Sequence, residues 1–223
     1  MSFTLNDILN DVAAIVDQDT TLATGTDLTV RVQLVNQVQY QWAKNYQPKE
    51  LRVYGFAPSI FLSCTSLALP SNFKSLMGRP YDMSKTSGND YEEIRPEESY
   101  IRLTMDVNNR YCFTGGNEVT GKWINFNPAL ASGASLLFDY QSLPSSLVTL
   151  QDIVTCPSRS YMYKGVIAKI YESRADPRFP QFNSEAEDSL ANMMEEEAAL
   201  SGAFSNQIRT QYDRQNFHIG SDG

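Results

Sequence analysis

The spacing of apolar residues changes period twice along this chain, and that change restricts its folds more than any other feature. Near the start, Leu5, Ile8, Leu9, Val12, Ile15 and Val16 recur at helical intervals, which puts them on one face of an α-helix. Thr4 precedes them and Asp7 follows Thr4 by three residues, so the spacing predicts a capping box with Asp in place of Glu. A polar loop follows, interrupted at Gly25. Leu28, Val32, Val35, Val38, Trp42 and Tyr46 then form a second helical stripe over residues 27–46, with Asp27 as its cap and Pro48 beyond its end. Proline disfavours helical geometry in the residue before it. Two such helices cannot bury both apolar faces alone and need further partners.

From residue 53 to 143 the period shortens, and Pro and Gly punctuate apolar runs rich in Tyr, Phe, Leu and Ile. Ile60-Phe61-Leu62 and Leu67-Ala68-Leu69 read as strands, the second broken by Pro70. Over residues 100–107, Ile101, Leu103, Met105 and Val107 alternate with Arg102, Thr104 and Asp106, the period of a half-buried strand. Residues 111–113 read as a short strand before a hairpin turn at Thr114-Gly115-Gly116-Asn117, where glycine supplies positive φ without steric cost. Residues 122–127 alternate through Trp123, Ile124 and Phe126 and stop at Asn127-Pro128. After a turn at Ser132-Gly133, residues 134–141 set Leu136, Phe138 and Tyr140 against Leu137 and Asp139. Strands of this length and spacing predict a small antiparallel sandwich or barrel.

Helical spacing then returns. Pro157 suits a first helical turn, and residues 157–173 carry the stripe Tyr163, Val166, Ile167, Ile170 and Tyr171. Asp176-Pro177 and Phe179-Pro180 mark a loop, and Ser184 with Glu187 predicts a capping box. The helix it opens runs through Leu190, Met193, Met194, Ala198 and Leu200 to Gly202. The expected fold is therefore α+β. A helical bundle comes from residues 1–50 and 150–202, a small antiparallel β lobe is inserted at 51–149, and an extended C-terminal arm covers 203–223.

That arm is polar, with isolated Phe204, Ile208, Tyr212 and Phe217 beside Arg209 and Arg214. Disorder at a terminus is the plainer reading of such a segment. Aromatics interspersed with arginine also anchor interfaces, so these six are the candidate partner-binding residues of an arm that orders on another subunit.

The residues needed for common chemistries are sparse. His218 is the only histidine, which leaves no His-rich metal site and no pair of Glu-x-x-His units. A Ser–His–Asp triad would have to use that histidine near a chain end, where a general base is poorly held. Neither a Gly-x-x-x-x-Gly-Lys-Ser/Thr phosphate loop nor a Gly-x-Ser-x-Gly elbow occurs. Glu185, Glu187, Asp188, Glu195, Glu196 and Glu197 read as a solvated helix face. Asp90, Glu92, Glu93, Glu97 and Glu98 form a second cluster, in which paired carboxylates for glycoside hydrolysis lack a recognisable sugar-stacking surround. The odd, widely spaced set Cys64, Cys112 and Cys156 predicts buried thiols rather than disulfides or zinc.

The net charge of -8 gives little counterion release, so tight wrapping of nucleic acid is not expected, although an acidic channel would let DNA slide. The start, MSFTLNDIL, lacks a basic region followed by an apolar core, so no signal peptide is expected. No apolar run approaches the ~20 residues of a membrane span, and synthesis and assembly in a cytoplasm are the default expectation.

Four segments in order carry a resemblance. The early helix holds Leu34-Val35-Asn36-Gln37, and Leu69-Pro70-Ser71-Asn72-Phe73 follows. Next come Lys122-Trp123-Ile124-Asn125-Phe126-Asn127-Pro128 and Leu136-Leu137-Phe138-Asp139-Tyr140, then Cys156-Pro157 and the helix after it. This order resembles the head-to-tail adaptors of short-tailed phages, the tail tubular protein A-like connectors, over most of residues 1–200. Asn72 stands where that pattern often has Asp, and nothing after Gly202 matches it. The resemblance implies a virion protein forming a ring of twelve copies below the portal protein and above the tail nozzle or tube. Double-stranded DNA would pass through it without specific binding. It implies no catalysis, no cofactor, no metal and no membrane partner, and a site at the head–tail junction. Two alternatives stand beside it: a tail-completion stopper or other minor virion protein, and a carboxylate-based hydrolase using residues 90–98.

Overall fold

The computed structural model describes residues 2–18, 21–85, 90–94, 110–117 and 120–216. The chain divides into two compact units, one of residues 1–39 with 147–223 and one of residues 40–146. The fold is α+β.

Both ends of the chain build the helical unit. α1, Leu5–Val16, begins at the predicted capping box: the Thr4 side chain accepts from the Asp7 N–H, and the Asp7 carboxylate accepts from the Thr4 N–H at 2.8 Å. Leu5, Ile8, Leu9, Val12 and Ala13 are buried, while Ile15 at the edge of the stripe is exposed. α2, Gly25–Asn45, starts ahead of the predicted cap Asp27. α3, Arg159–Ser173, is capped by the Ser158 hydroxyl, which accepts from the Tyr161 N–H; proline has no comparable acceptor, so Pro157 lies outside the helix. Its core face is Met162, Val166, Ile167, Ala168, Ile170 and Tyr171, with Tyr163 only half-buried.

α4, Phe179–Asn216, differs from its prediction at both ends. Pro180 sits in its first turn, where the missing N–H costs nothing, so Phe179-Pro180 opens the helix rather than a loop. Ser184 is therefore interior and not a cap. The backbone stays helical through Gly202 to Asn216. An interior glycine costs about 1 kcal/mol relative to alanine, too little by itself to end a helix. The expected extended arm is thus helical over 203–216, and 217–223 lie outside the described residues.

α3 and α4 run antiparallel. Tyr171 meets Phe182 edge-on at 5.3 Å, Lys164 pairs with Glu185 at 3.2 Å, and Ser160 meets Ser189 at 3.1 Å. Arg159 ties the start of α3 to α1 through two bonds to Asp11, at 2.7 and 2.8 Å. On α3, Gly165 lets α2 approach, since a Cβ there would lie 3.0 Å from a Val38 methyl.

The β unit holds β1 Arg52–Phe56, β2 Cys64–Ala68, β3 Phe73–Leu76, β4 Tyr81–Asp82, β5 Glu92–Glu93, β6 Tyr111–Asn117, β7 Gly121–Leu130 and β8 Leu136–Ser142. One four-stranded sheet centres on β8, with β1 on one flank and β3 and β4 also paired to it; the other has the order β2-β7-β6-β5. Among the described residues only the β5–β6 pair is parallel. Phe73, Leu136, Phe138 and Tyr140 from the first sheet share one core with Cys112, Ile124, Phe126 and Leu130 from the second. The predicted alternation in β8 is visible directly: Leu136, Phe138 and Tyr140 are buried, and Leu137 and Asp139 are not.

Three local predictions change. Ile60-Phe61-Leu62 is a loop, not a strand; Ile60 alone turns into the core and the next two side chains face out. Thr114-Gly115-Gly116-Asn117 is strand rather than turn, paired with β7 as far as Asn117↔Gly121. β7 also runs through the cis Asn127-Pro128 bond to Leu130. The β6 ladder ends at Tyr111↔Asn127, so no β6 bond needs an N–H from Pro128. The strand predicted over 100–107 lies outside the described residues.

Candidate functional site

Phe204, Ile208, Arg209, Tyr212 and Arg214 all fall within α4, and Phe217 lies outside the described residues. The structure therefore brings five of the six predicted interface residues onto one element. The contact between Ser160 and Ser189 brings α4 close to the first residue of α3, Arg159. Leu190 is the last buried residue among those whose side chains are described; from 191 to 199 only Met193 and Glu197 are partly covered. At 1.5 Å per residue, the run from 191 to 216 extends about 40 Å beyond that point.

Of the six acidic residues assigned to a solvated face of α4, four lie on it as predicted, while Glu185 and Glu197 are half-buried. Glu187, Asp188, Glu195 and Glu196 are exposed. Glu185 accepts from Gln181 at 2.9 Å and pairs with Lys164, and these contacts hold its carboxyl below the usual range.

The second acidic cluster is built around arginines. Arg79 donates to Asp90 at 3.0 Å and lies 3.9 Å from Glu92; its hydrogen bond holds the Asp90 carboxyl low. Beneath this pair, Arg110 lies 3.5 Å from the Asp82 carboxylate and stacks 4.1 Å from the centre of the buried Tyr91 ring. Asp82 is 1% exposed and also accepts from the Ser84 N–H and hydroxyl. Burial opposes its ionisation most strongly, but Ser84 and Arg110 outweigh it, and its carboxyl stays below the usual range. Burial pushes the Tyr91 phenol up. A general acid needs a carboxyl raised towards neutral pH; Asp82 and Asp90 are shifted the other way, as members of ion pairs that fasten β4 and β5 to their neighbours. Glu97 and Glu98 lie outside the described residues.

Cys112 and Cys156 are buried and Cys64 is half-buried, all as free thiols; burial pushes the Cys112 thiol up to about 12. Among the described residues, no group of three His, Cys, Asp or Glu side chains is placed to hold a metal ion. Among them, too, no helix is long and apolar enough to cross a membrane.

Two features escaped the sequence reading. Asn36 and Gln39, polar positions on α2, bind the main chain that leads into α3. The Asn36 amide donates to the Leu147 carbonyl at 3.0 Å and accepts from the Leu147 N–H at 2.7 Å. Gln39 accepts from the Thr155 N–H at 2.8 Å. Asn36 belongs to the Leu-Val-Asn-Gln segment quoted above, and its role here is a structural clasp. The second feature is the exposure of Phe61 and Leu62, which their apolar character alone did not announce. No protein-family model matches this chain, and no curated protein does either.

Proposed function

We propose that this chain is a non-enzymatic subunit of a tailed-phage virion, the head-to-tail adaptor. In this reading it forms a ring below the portal protein and joins it to the tail nozzle or tube at the head–tail junction, after assembly in the host cytoplasm. The observation that carries the proposal is the length of α4, whose backbone stays helical to Asn216, well past Leu190, the last buried side chain among the described residues. A helix gains most of its stability in a protein by burying a face, so a helix of this length, carrying exposed side chains at most positions from 191 to 199, is suited to a second protein. The arm residues Phe204, Ile208, Arg209, Tyr212 and Arg214 lie on that run, and the portal is the partner assigned to it.

The order of elements supports the same reading: terminal helices form one unit and a β unit is inserted between them. The net charge of -8 suits a channel past which duplex DNA slides without being held. The engagement of Asp82, Asp90 and Glu92 by arginines favours a structural role for the second acidic cluster over the hydrolase alternative.

The test mixes the full-length chain with purified portal rings and follows co-sedimentation, with electron microscopy of the product. The expected result is one added ring of twelve subunits on the tail-facing side of the portal. Absence of co-sedimentation with the portal of the same phage overturns the adaptor reading.

A further inference from the structure

Gln141 follows Tyr140 on β8, so its side chain leaves the sheet on the face opposite the shared aromatic core. That face is closed at this point, and Gln141 is 0% exposed. The chain just beyond α2 lies against it: the Gln141 Nε2 donates to the Pro48 carbonyl at 2.9 Å. Lys74 on β3 fastens the same stretch, donating to the Ala43 carbonyl at 2.7 Å and to the Tyr46 carbonyl.

The Pro48 contact fixes which way the Gln141 amide points. A carbonyl can only accept, so Nε2 must face Pro48 and Oε1 must face away from it. Oε1 is buried and has no hydrogen-bond donor among the described residues. Opposite Gln141 on β3 stands Ser75, whose hydroxyl oxygen is buried and equally unpaired. Opposite it on β1 stands Arg52, which is exposed. The Trp42 indole N–H and the Tyr171 hydroxyl are also buried without a partner, whereas strand register sets Ser75 and Gln141 side by side. The pairing of β3 with β8 slips between Phe73 and Ser75, where two steps on β3 match one on β8 and Lys74 has no opposite. Such a bulge interrupts the ladder and bends the strand, so the unpaired hydroxyl and amide sit beside a break in the sheet.

We propose that one water molecule is bound at this bulge as part of the fold, donating to Gln141 Oε1 and bonded to Ser75 Oγ. Buried polar groups are met by protein or by ordered water, and leaving one unmet costs about 1–3 kcal/mol. Cβ atoms of opposite residues are about 5 Å apart, a gap that one water spans with two hydrogen bonds of about 2.8 Å. Water fits both groups, since a carboxamide oxygen needs a donor and a hydroxyl takes either role. A metal cation is disfavoured because the ammonium of Lys74, next to Ser75 in the chain, already stands at this end of α2. The water joins the middle of the sheet to the chain leaving α2, within the unit of residues 40–146, and does not depend on the adaptor reading.

The test is a crystal structure of the full-length chain, at a resolution that shows ordered solvent, together with urea unfolding of wild type, Ser75→Ala, Gln141→Met and the double variant. The expected structure has one water within about 3.2 Å of both Ser75 Oγ and Gln141 Oε1. Ser75→Ala is expected to raise the unfolding equilibrium constant about tenfold, as for one buried polar group left short of a partner. Gln141→Met also loses the Pro48 bond, but that loss cancels in the double-mutant cycle. The effect of the double variant is expected to fall short of the product of the two single effects by at least about threefold. A direct hydrogen bond to Gln141 Oε1 from Ser75 or Arg52, or a gap between Ser75 and Gln141 without ordered solvent, overturns the water. So do single effects that multiply without coupling. If a variant does not fold, the wild-type structure alone decides.

Discussion

Asp82 shows how a single buried charge can be held ionised. Its folded pKa is depressed below the ordinary 3.8 because Ser84 and Arg110 together outweigh burial. A depressed carboxylate contributes stability above its unfolded pKa and loses that contribution as pH falls through the folded value. Asp82→Asn should therefore lower the unfolding free energy at neutral pH by about 1–3 kcal/mol, the range for an unsatisfied buried polar group. The gap from wild type should shrink progressively below pH 3.8. Urea unfolding of both proteins at neutral pH and across the acid range measures it, and a gap that stays constant contradicts the assignment. Little of this was legible in the sequence. Asp82 lies outside the acidic cluster picked out at residues 90–98, and its partner Arg110 is 28 residues away. Asn36 and Gln39 have the same property: their main-chain partners are 111 and 116 residues along the chain. Periodicity identifies the helix beneath such residues and carries no information about what they reach.

At the scale of elements, the period of the apolar residues was legible and the punctuation less so. α1 with its capping box and the alternation of β8 follow from local spacing, because both are fixed by neighbours within a few residues. Gly115-Gly116 is instructive because the glycines are required, but for a reason other than a turn at residues 114–117. Gly115 pairs with Trp123 inside the hairpin, and a Cβ there would come within 2.3 Å of the Trp123 ring. Phe113 already meets that indole edge-on at 5.9 Å, which restricts how the ring can move aside. Gly115→Val should therefore displace Trp123 and cost about 1–3 kcal/mol, the usual penalty for overpacking. Gly116, with φ of 87°, is a second position where any side chain strains the strand. Tryptophan fluorescence together with urea unfolding tests the Gly115 variant. An unshifted emission spectrum with unchanged stability would refute the close approach. The start of α4 departs from the local pattern for the mirror-image reason: Phe179-Pro180 resembles a break, whereas proline in a first turn is compatible with a helix.

For the whole molecule, the α+β class was legible because it depends on the sequence of periods and on nothing long-range. The course of the C-terminus was not, because Gly202 and the polar composition after it suggested an end to the helix. The helical backbone to Asn216 sharpens what a truncation should do. Little of residues 191–199 is covered within the chain, so ending the chain at Ala203 removes no residue of the described core. The truncated protein should unfold within about 0.5 kcal/mol of wild type, as for changes away from the core, while losing helical signal in circular dichroism. Portal docking should fall sharply, because the removed residues include every candidate anchor from Phe204 to Arg214. An isolated helix owes its persistence to what covers it. In the free chain, the backbone amides from 191 to 216 should therefore exchange with deuterium much faster than those of α3, and become protected once portal rings are added. Normal docking by the truncated chain, or an exchange rate in that run that portal leaves unchanged, would remove α4 as the docking element and with it the observation on which the adaptor assignment stands.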